Sequence, residues 1–187
     1  MHEEVRKAGE FLRNGSVVLY PTDTIWGIGC DATNPEAVAR LYRIKQRSDR
    51  KSMLVLIDDL TRLSNYVGTI PDAARELLEK AEKPTTIIYP GAKNLVPNLI
   101  APDGSIGIRI TSDPFCRQLI RYMEKPIVST SANISGRKAP ASFREIDPEV
   151  VEKTDYTVDW RKEEETGAAP SALVKVDRDG NMTWLRS

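Results

Sequence analysis

The carboxy-terminal segment constrains the fold of this chain most. Ala172–Val176 and residues 182–185 are two short apolar runs on either side of Asp179-Gly180. Asp-Gly favours the positive-φ turn whose twist matches that of two antiparallel strands, so the pattern predicts a hairpin. A hairpin excludes a sheet that is parallel throughout, because parallel neighbours need a long crossover connection.

The rest of the chain alternates less regularly. Val5, Ala8, Gly9 and Leu12 recur at helical spacing and are stopped by Asn14-Gly15. Residues 16–20 read as a buried strand ended by Pro21. Asn34-Pro35-Glu36 supplies a cap, a proline at the first helical position and an acid in the first turn. The helix it starts carries Val38, Leu41 and Tyr42 on one face and is expected to run to about Gln46. Residues 53–57, Thr85–Tyr89, Ile106–Ile110 and 126–130 read as strands. Residues 60–66, 73–82, the run through Phe115, Leu119, Ile120 and Met123, and Pro148–Lys153 read as helices, the last followed by a short segment at 156–160. Interspersed helices and strands ending in a hairpin predict one α/β domain over residues 1–187, with a twisted mixed sheet and flanking helices. Residues 162–165 are a charge run and predict an exposed loop.

Charge and cysteine content narrow the chemistry. The 187 residues carry 27 basic and 27 acidic side chains, so global charge points to no partner and an anion site must come from local clustering. Cys30 and Cys116 are far apart, and the single histidine is His2, which argues against a conventional zinc site and against a histidine-based hydrolase. Neither a Walker motif nor G-x-G-x-x-G is present. The charged amino end lacks a signal-peptide core and no window suits a membrane span, so a soluble, reduced, cytoplasmic protein is expected.

Three local features suit an anion, and each has a plainer alternative. Lys45-Gln46-Arg47, flanked by Arg43 and by Arg50-Lys51, closes the second helix. Cations there also complement the helix dipole. Ser129, Thr130, Ser131 and Asn133 cluster small donors and acceptors directly after an apolar strand, where capping would also place them. Pro21-Thr22-Asp23-Thr24, followed by Gly27 and Gly29, suits either a turn or a ligand loop. With no histidine base, the chemistry left is positioning and charge neutralisation.

In this order the three features resemble the YrdC-like family, the threonylcarbamoyl-AMP synthases. The matching pieces are the run Tyr20-Pro21-Thr22-Asp23-Thr24-Ile25-Trp26-Gly27, then Lys45-Gln46-Arg47, Ile106-Gly107-Ile108-Arg109, Ser129-Thr130-Ser131-Ala132-Asn133, Pro170-Ser171-Ala172 and Leu185-Arg186. The resemblance implies a YrdC-like sheet with a large concave basic cavity. It implies a nucleotidyltransferase that joins L-threonine, bicarbonate and ATP into threonylcarbamoyl-AMP and pyrophosphate. Mg2+ would accompany ATP as substrate, with no tightly bound cofactor and no metal held by the protein alone. Downstream proteins would pass the threonylcarbamoyl group to tRNA. Lys45, Arg47, Ser131 and Asn133 would carry the catalytic phosphate chemistry, and Ser105 and Arg186 would complete the ATP side. Thr22, Arg109, Ser129 and Ser171 would surround threonine, with Arg109 the partner of its carboxylate.

The chain departs from the family at several positions. Leu56 stands where some relatives carry a histidine, Ser48 and Lys51-Ser52 replace prolines after K-x-R, and Glu82-Lys83-Pro84-Thr85 replaces a Trp-Pro-Gly-Pro segment. Two alternatives remain from other members: a double-stranded RNA or tRNA-binding module of the YciO-like branch, and carbamoyl transfer as in hydrogenase maturation. Neutral overall charge and 6% aromatic residues weigh against the RNA reading.

Overall fold

The computed structural model describes residues 1–48, 53–164 and 170–187, so the expectations for Arg50, Lys51, Ser52 and Glu165 lie outside the described residues. Five α-helices form where the apolar spacing predicts them: α1 (His2–Arg13), α2 (Pro35–Ile44), α3 (Asp72–Lys80), α4 (Pro114–Met123) and α5 (Pro148–Lys153). Side-chain caps start three of them. Asn34 accepts from Ala37 N–H, Asp113 from Cys116 and Asp147 from Glu149, each followed by proline in the first turn.

Nine strands join one sheet: β1 (Val18–Tyr20), β2 (Gly27–Asp31), β3 (Leu54–Ile57), β4 (Thr85–Tyr89), β5 (Ile106–Ile110), β6 (Ile127–Ser131), β7 (Tyr156–Thr157), β8 (Ala172–Val176) and β9 (Met182–Arg186). Their order is β7-β1-β2-β6-β3-β5-β4-β8-β9. The pairs β1–β7, β3–β5 and β4–β8 are parallel and the others antiparallel, which is the mixed sheet the terminal hairpin demands. Only Gly180 has positive φ in that hairpin turn. The connection closes from Asp177 N–H to Asn181 C=O, one step wider than a two-residue Asp-Gly turn.

Two expectations need correcting. Residues 60–65 form a 3-10 turn rather than an α-helix. Asp59 caps it through Thr61, and Leu63 is its one buried residue, with Leu60 packed against the core three residues earlier, a spacing that suits three residues per turn. Gly27 and Gly29, which follow Pro21-Thr22-Asp23-Thr24 in the motif read as either a turn or a ligand loop, stand in the strand Gly27–Asp31. The cause is close packing: a Cβ on Gly29 would lie 2.0 Å from Val128 O and 2.9 Å from Tyr20 Oη, so only glycine lets the Tyr20 ring cross this strand. At 156–160 only Tyr156 and Thr157 are strand, with the Tyr156 ring stacked on Phe11 at 4.8 Å.

The pleat sends alternate side chains to two faces. On the first, Leu19, Ile28, Val55, Ile87, Ile108, Val128 and Val174 pack with residues of α2, α3, α5 and the 3-10 turn into the larger core. On the second, Val18, Tyr20, Leu56 and Ile127 are covered by Val5, Ala8 and Leu12 of α1 and by Phe115, Leu119, Ile120 and Met123 of α4. The cover ends at β3. Beyond it the same face carries Arg109, Gly107, Thr86, Ile88, Leu173 and Lys175, and a cavity of about 510 Å³ lies there.

Candidate functional site

The cavity gathers residues from distant parts of the chain. Of the ten nominated positions, eight line it: Thr22, Arg47, Ser105, Arg109, Ser129, Ser131, Ser171 and Arg186. Lys45 and Asn133 lie outside that wall. Cations outnumber carboxylates among the lining residues, with Arg47, Arg109, Lys175 and Arg186 against Asp103.

Arg109 is 3% exposed, and the register of β3 and β5 sets it opposite Leu56. Its guanidinium is held on two sides. Nη2 pairs with Asp23 Oδ1 at 3.2 Å and Nη1 donates to Thr24 Oγ1 at 3.3 Å, while Nε is buried without a partner. A chain of hydroxyls fixes this loop. Thr22 Oγ1 donates to Ile25 O at 2.8 Å and accepts from Thr24 N at 3.0 Å, so the 2.9 Å contact between the two hydroxyls has Thr24 as donor. Leu56, at the position where some relatives carry histidine, is fully buried against α4 and offers no polar group.

The far wall is tied together in the same way. Asp103 Oδ1 accepts from Ser105 Oγ at 2.5 Å and from Ser105 N at 3.0 Å, and Oδ2 accepts from Lys175 at 2.6 Å. Lys175 and then Ser105 hold the Asp103 carboxyl down at about 2. Ser171 Oγ meets Thr86 Oγ1 at 2.8 Å, and Arg186 Nε donates to Ser171 O at 2.8 Å. A register shift in the β8–β9 ladder sets Arg186 opposite Leu173, whose neighbour Trp184 faces Val174, so Leu185 is the extra residue of a bulge and both Leu185 and Arg186 reach the cavity.

The other end is built where α2 stops. Arg47 N–H reaches back to Tyr42 O at 3.0 Å, and Gln46 takes φ +48, a left-handed helix ending usually given to glycine. That turn sends Lys45 inward and Arg47 to the cavity wall. Lys45 is 1% exposed, and its Nζ donates to Ser131 O at 2.5 Å and Asn133 O at 2.8 Å. Burial, with a smaller push from Arg47, lowers its ammonium to about 7. Burial lowers Arg47 as well. Asn133 spends Nδ2 on Ile134 O at 3.1 Å and Arg137 O at 2.6 Å, leaving Oδ1 buried without a partner. Ser129 is 5% exposed, opposite Leu54 and Gly29 in the sheet.

Asp23, Thr24, Asp103, Lys175 and Trp26 belong to the site without having been nominated. Asp23 and Thr24 belong to the Pro21-Thr22-Asp23-Thr24 run, and the Asp103-Gly104 pair is a turn signal. The lysine on β8 carries no local mark. Trp26 is fully buried with its ring 4.9 Å from Phe143, and its Nε1 lacks a partner. Next to it, residues 162–164 are only partly the exposed loop expected. Glu163 and Glu164 are exposed, whereas Lys162 sits 5.2 Å from the Phe143 ring centre and Arg161 pairs with buried Asp113. Among the described residues no group of three or more His, Cys, Asp or Glu side chains is placed to hold a metal ion, and no helix is long and apolar enough to cross a membrane.

A family model described as Sua5_yciO_yrdC, Telomere recombination, matches residues 10–187. The chain is 34% identical over 179 residues to a threonylcarbamoyl-AMP synthase of Stenotrophomonas maltophilia, covering 94% of each. Among solved structures, Escherichia coli YciO superposes with a TM-score of 0.87 at 25% identity, over all of this chain and 90% of that one. Sua5 of P. abyssi, solved in complex with L-threonine, superposes with a TM-score of 0.88 at 24% identity over 97% of this chain and 53% of the longer protein. With its terminal hairpin, its mixed sheet and the motif residues around one cavity, the chain belongs to the Sua5/YciO/YrdC family.

Proposed function

We propose that this protein is a threonylcarbamoyl-AMP synthase, joining L-threonine, bicarbonate and ATP and releasing pyrophosphate. One observation carries the reading: eight nominated residues, drawn from Thr22 to Arg186, line a single cavity around a buried arginine. At about 510 Å³ it has the size of small-molecule sites rather than of a nucleic-acid groove.

Arg109 would take the threonine carboxylate where it lines the cavity, with Thr22, Ser129 and Ser171 around the rest of the amino acid. The amine and bicarbonate condense to a carbamate with loss of water. A carbamate oxygen attacks the α-phosphorus, the bond to the bridging oxygen breaks and pyrophosphate leaves. Arg47 and Ser131, both in the cavity wall, would face the phosphates, and Ser105 and Arg186 would stand on the nucleotide side. Mg2+ would enter bound to ATP and supply charge neutralisation there, since the wall offers one carboxylate, Asp103, already paired with Lys175. The cavity presents donors and cations, which suits stabilisation of developing phosphate charge. The adenylate would be consumed by proteins that transfer its threonylcarbamoyl group to tRNA, in the cytoplasm.

Purified protein incubated with MgATP, bicarbonate and L-threonine is expected to release pyrophosphate and form the adenylate only when threonine is present. Pyrophosphate release independent of threonine, or none at all alongside tight binding of double-stranded RNA, overturns this assignment.

A further inference from the structure

The four residues grouped by K-x-R and S-x-N occupy two different environments. Arg47 and Ser131 are in the cavity wall, whereas the buried Lys45 and the half-buried Asn133 do not line it. The separation has a local cause on each side. Gln46 in the left-handed conformation turns consecutive side chains apart at the end of α2. At the end of β6, Ser131 holds the face shared with Ser129, and Asn133 lies past the strand.

Outside the wall the donors are already committed. Lys45 Nζ bridges two carbonyls of one turn, Ser131 O and Asn133 O. Ser131 O also accepts Asn133 N–H at 2.9 Å, so both of its lone pairs are in use. The main chain of Lys45 joins the same knot, with Ser135 N–H donating to Lys45 O at 2.8 Å. Two carbonyl dipoles that converge on one cation repel each other once it is gone. Asn133 adds a second brace, since its amide N–H groups close the turn on Ile134 O and Arg137 O. A phosphate recruits donors, and the Asn133 side chain has none left over.

We propose that Arg47 and Ser131 contact the nucleotide phosphates, while Lys45 and Asn133 are positioning residues that set the shape of the 131–137 turn. The division rests on the nucleotide reading of the cavity. It assigns the signature's most buried cation to the backbone rather than to the substrate. The low ammonium value of Lys45 accords with that place, since a buried cation facing carbonyls lacks water.

A crystal structure of the wild-type protein with a non-hydrolysable ATP analogue tests the contacts directly. Arg47 and Ser131 Oγ are expected within hydrogen-bond distance of phosphoryl oxygens, with Lys45 Nζ still on Ser131 O and Asn133 O. Lys45 on a phosphoryl oxygen with both carbonyls released overturns the proposal. In solution, Lys45→Met is expected to speed amide exchange in residues 131–137 at least tenfold. The same variant should weaken ATP binding at least tenfold and leave L-threonine binding within twofold, a split that general loosening of the fold would not give. Arg47→Gln should weaken ATP equally with exchange unchanged. Weakened ATP binding in Lys45→Met with wild-type exchange overturns the positioning role. Should Lys45→Met fail to fold, Asn133→Ala gives the same readouts. Absence of ATP binding to the wild type would sink the nucleotide reading, yet faster exchange in Lys45→Met would still uphold the turn-building half.

Discussion

One face of the sheet is two surfaces. Under α1 and α4, Val18, Tyr20, Leu56 and Ile127 form a dry core with Leu12, Phe115 and Leu119. On the strands beyond, the same alternate positions carry Arg109, Thr86, Leu173 and Lys175 around a cavity. Pleat and side-chain period are identical, so secondary structure does not decide where the site is. Residue type at alternate positions does, together with where the helical cover ends. The covered half draws its stability from apolar burial. The open half is held by hydrogen-bonded and ionic ties, which stabilise less on balance but fix geometry.

The difference predicts opposite responses to mutation. Arg109→Ala strands Asp23 in the open half and is expected to cost about 3–5 kcal/mol in denaturant unfolding while abolishing threonine-dependent pyrophosphate release. Leu119→Ala, in the covered half, should cost about 3 kcal/mol by leaving a cavity in the core it shares with Tyr20 and Leu56, with KM for both substrates unchanged in the folded protein. An altered KM in Leu119→Ala would show that the two halves are coupled.

Protonation of Lys45 gives a third comparison. Its folded value of about 7 lies below the ordinary lysine value of 10.5, so between those limits the unfolded chain holds one more proton. Its contribution to stability therefore rises as pH climbs from about 7 toward 10.5 and is flat below 7. Unfolding of wild type and Lys45→Met across that window should show the gap shifting in favour of the wild type as pH rises. The smallest effect is expected at Gln46→Gly, which removes a left-handed strain at the end of α2. It should gain about 0.5 kcal/mol, less the exposed hydrogen bond from Gln46 to Glu149.

Much of this was legible in the chain. The cap and proline at Asn34-Pro35 placed α2, and Asp179-Gly180 announced the hairpin. The motif residues converged because the sheet order brings β5, β6 and β8 and the turn that ends α2 around one cavity. Other features were hidden for physical reasons. The strand at Gly27–Asp31 needs glycine because of the Val128 carbonyl of β6 and a ring contributed by β1, a tertiary cause with no local trace. Lys175 pairs with Asp103 across the sheet, and nothing near either residue marks the other. The inward turn of Lys45 depends on Gln46 adopting a conformation that its residue type disfavours.

The strand order also sets a timetable for the cavity. β4 pairs with β8, and β8 with β9, so the wall carrying Ser171, Lys175 and Arg186 joins a strand made 87 residues earlier, as in the pair Thr85 and Ala172. At translation rates of roughly 5–20 residues per second, Arg109 and its loop can wait for seconds beside an unfinished sheet edge. Until residue 172 emerges, the edge of β4 that β8 will cover keeps its backbone groups unpaired, the kind of edge on which strands mispair.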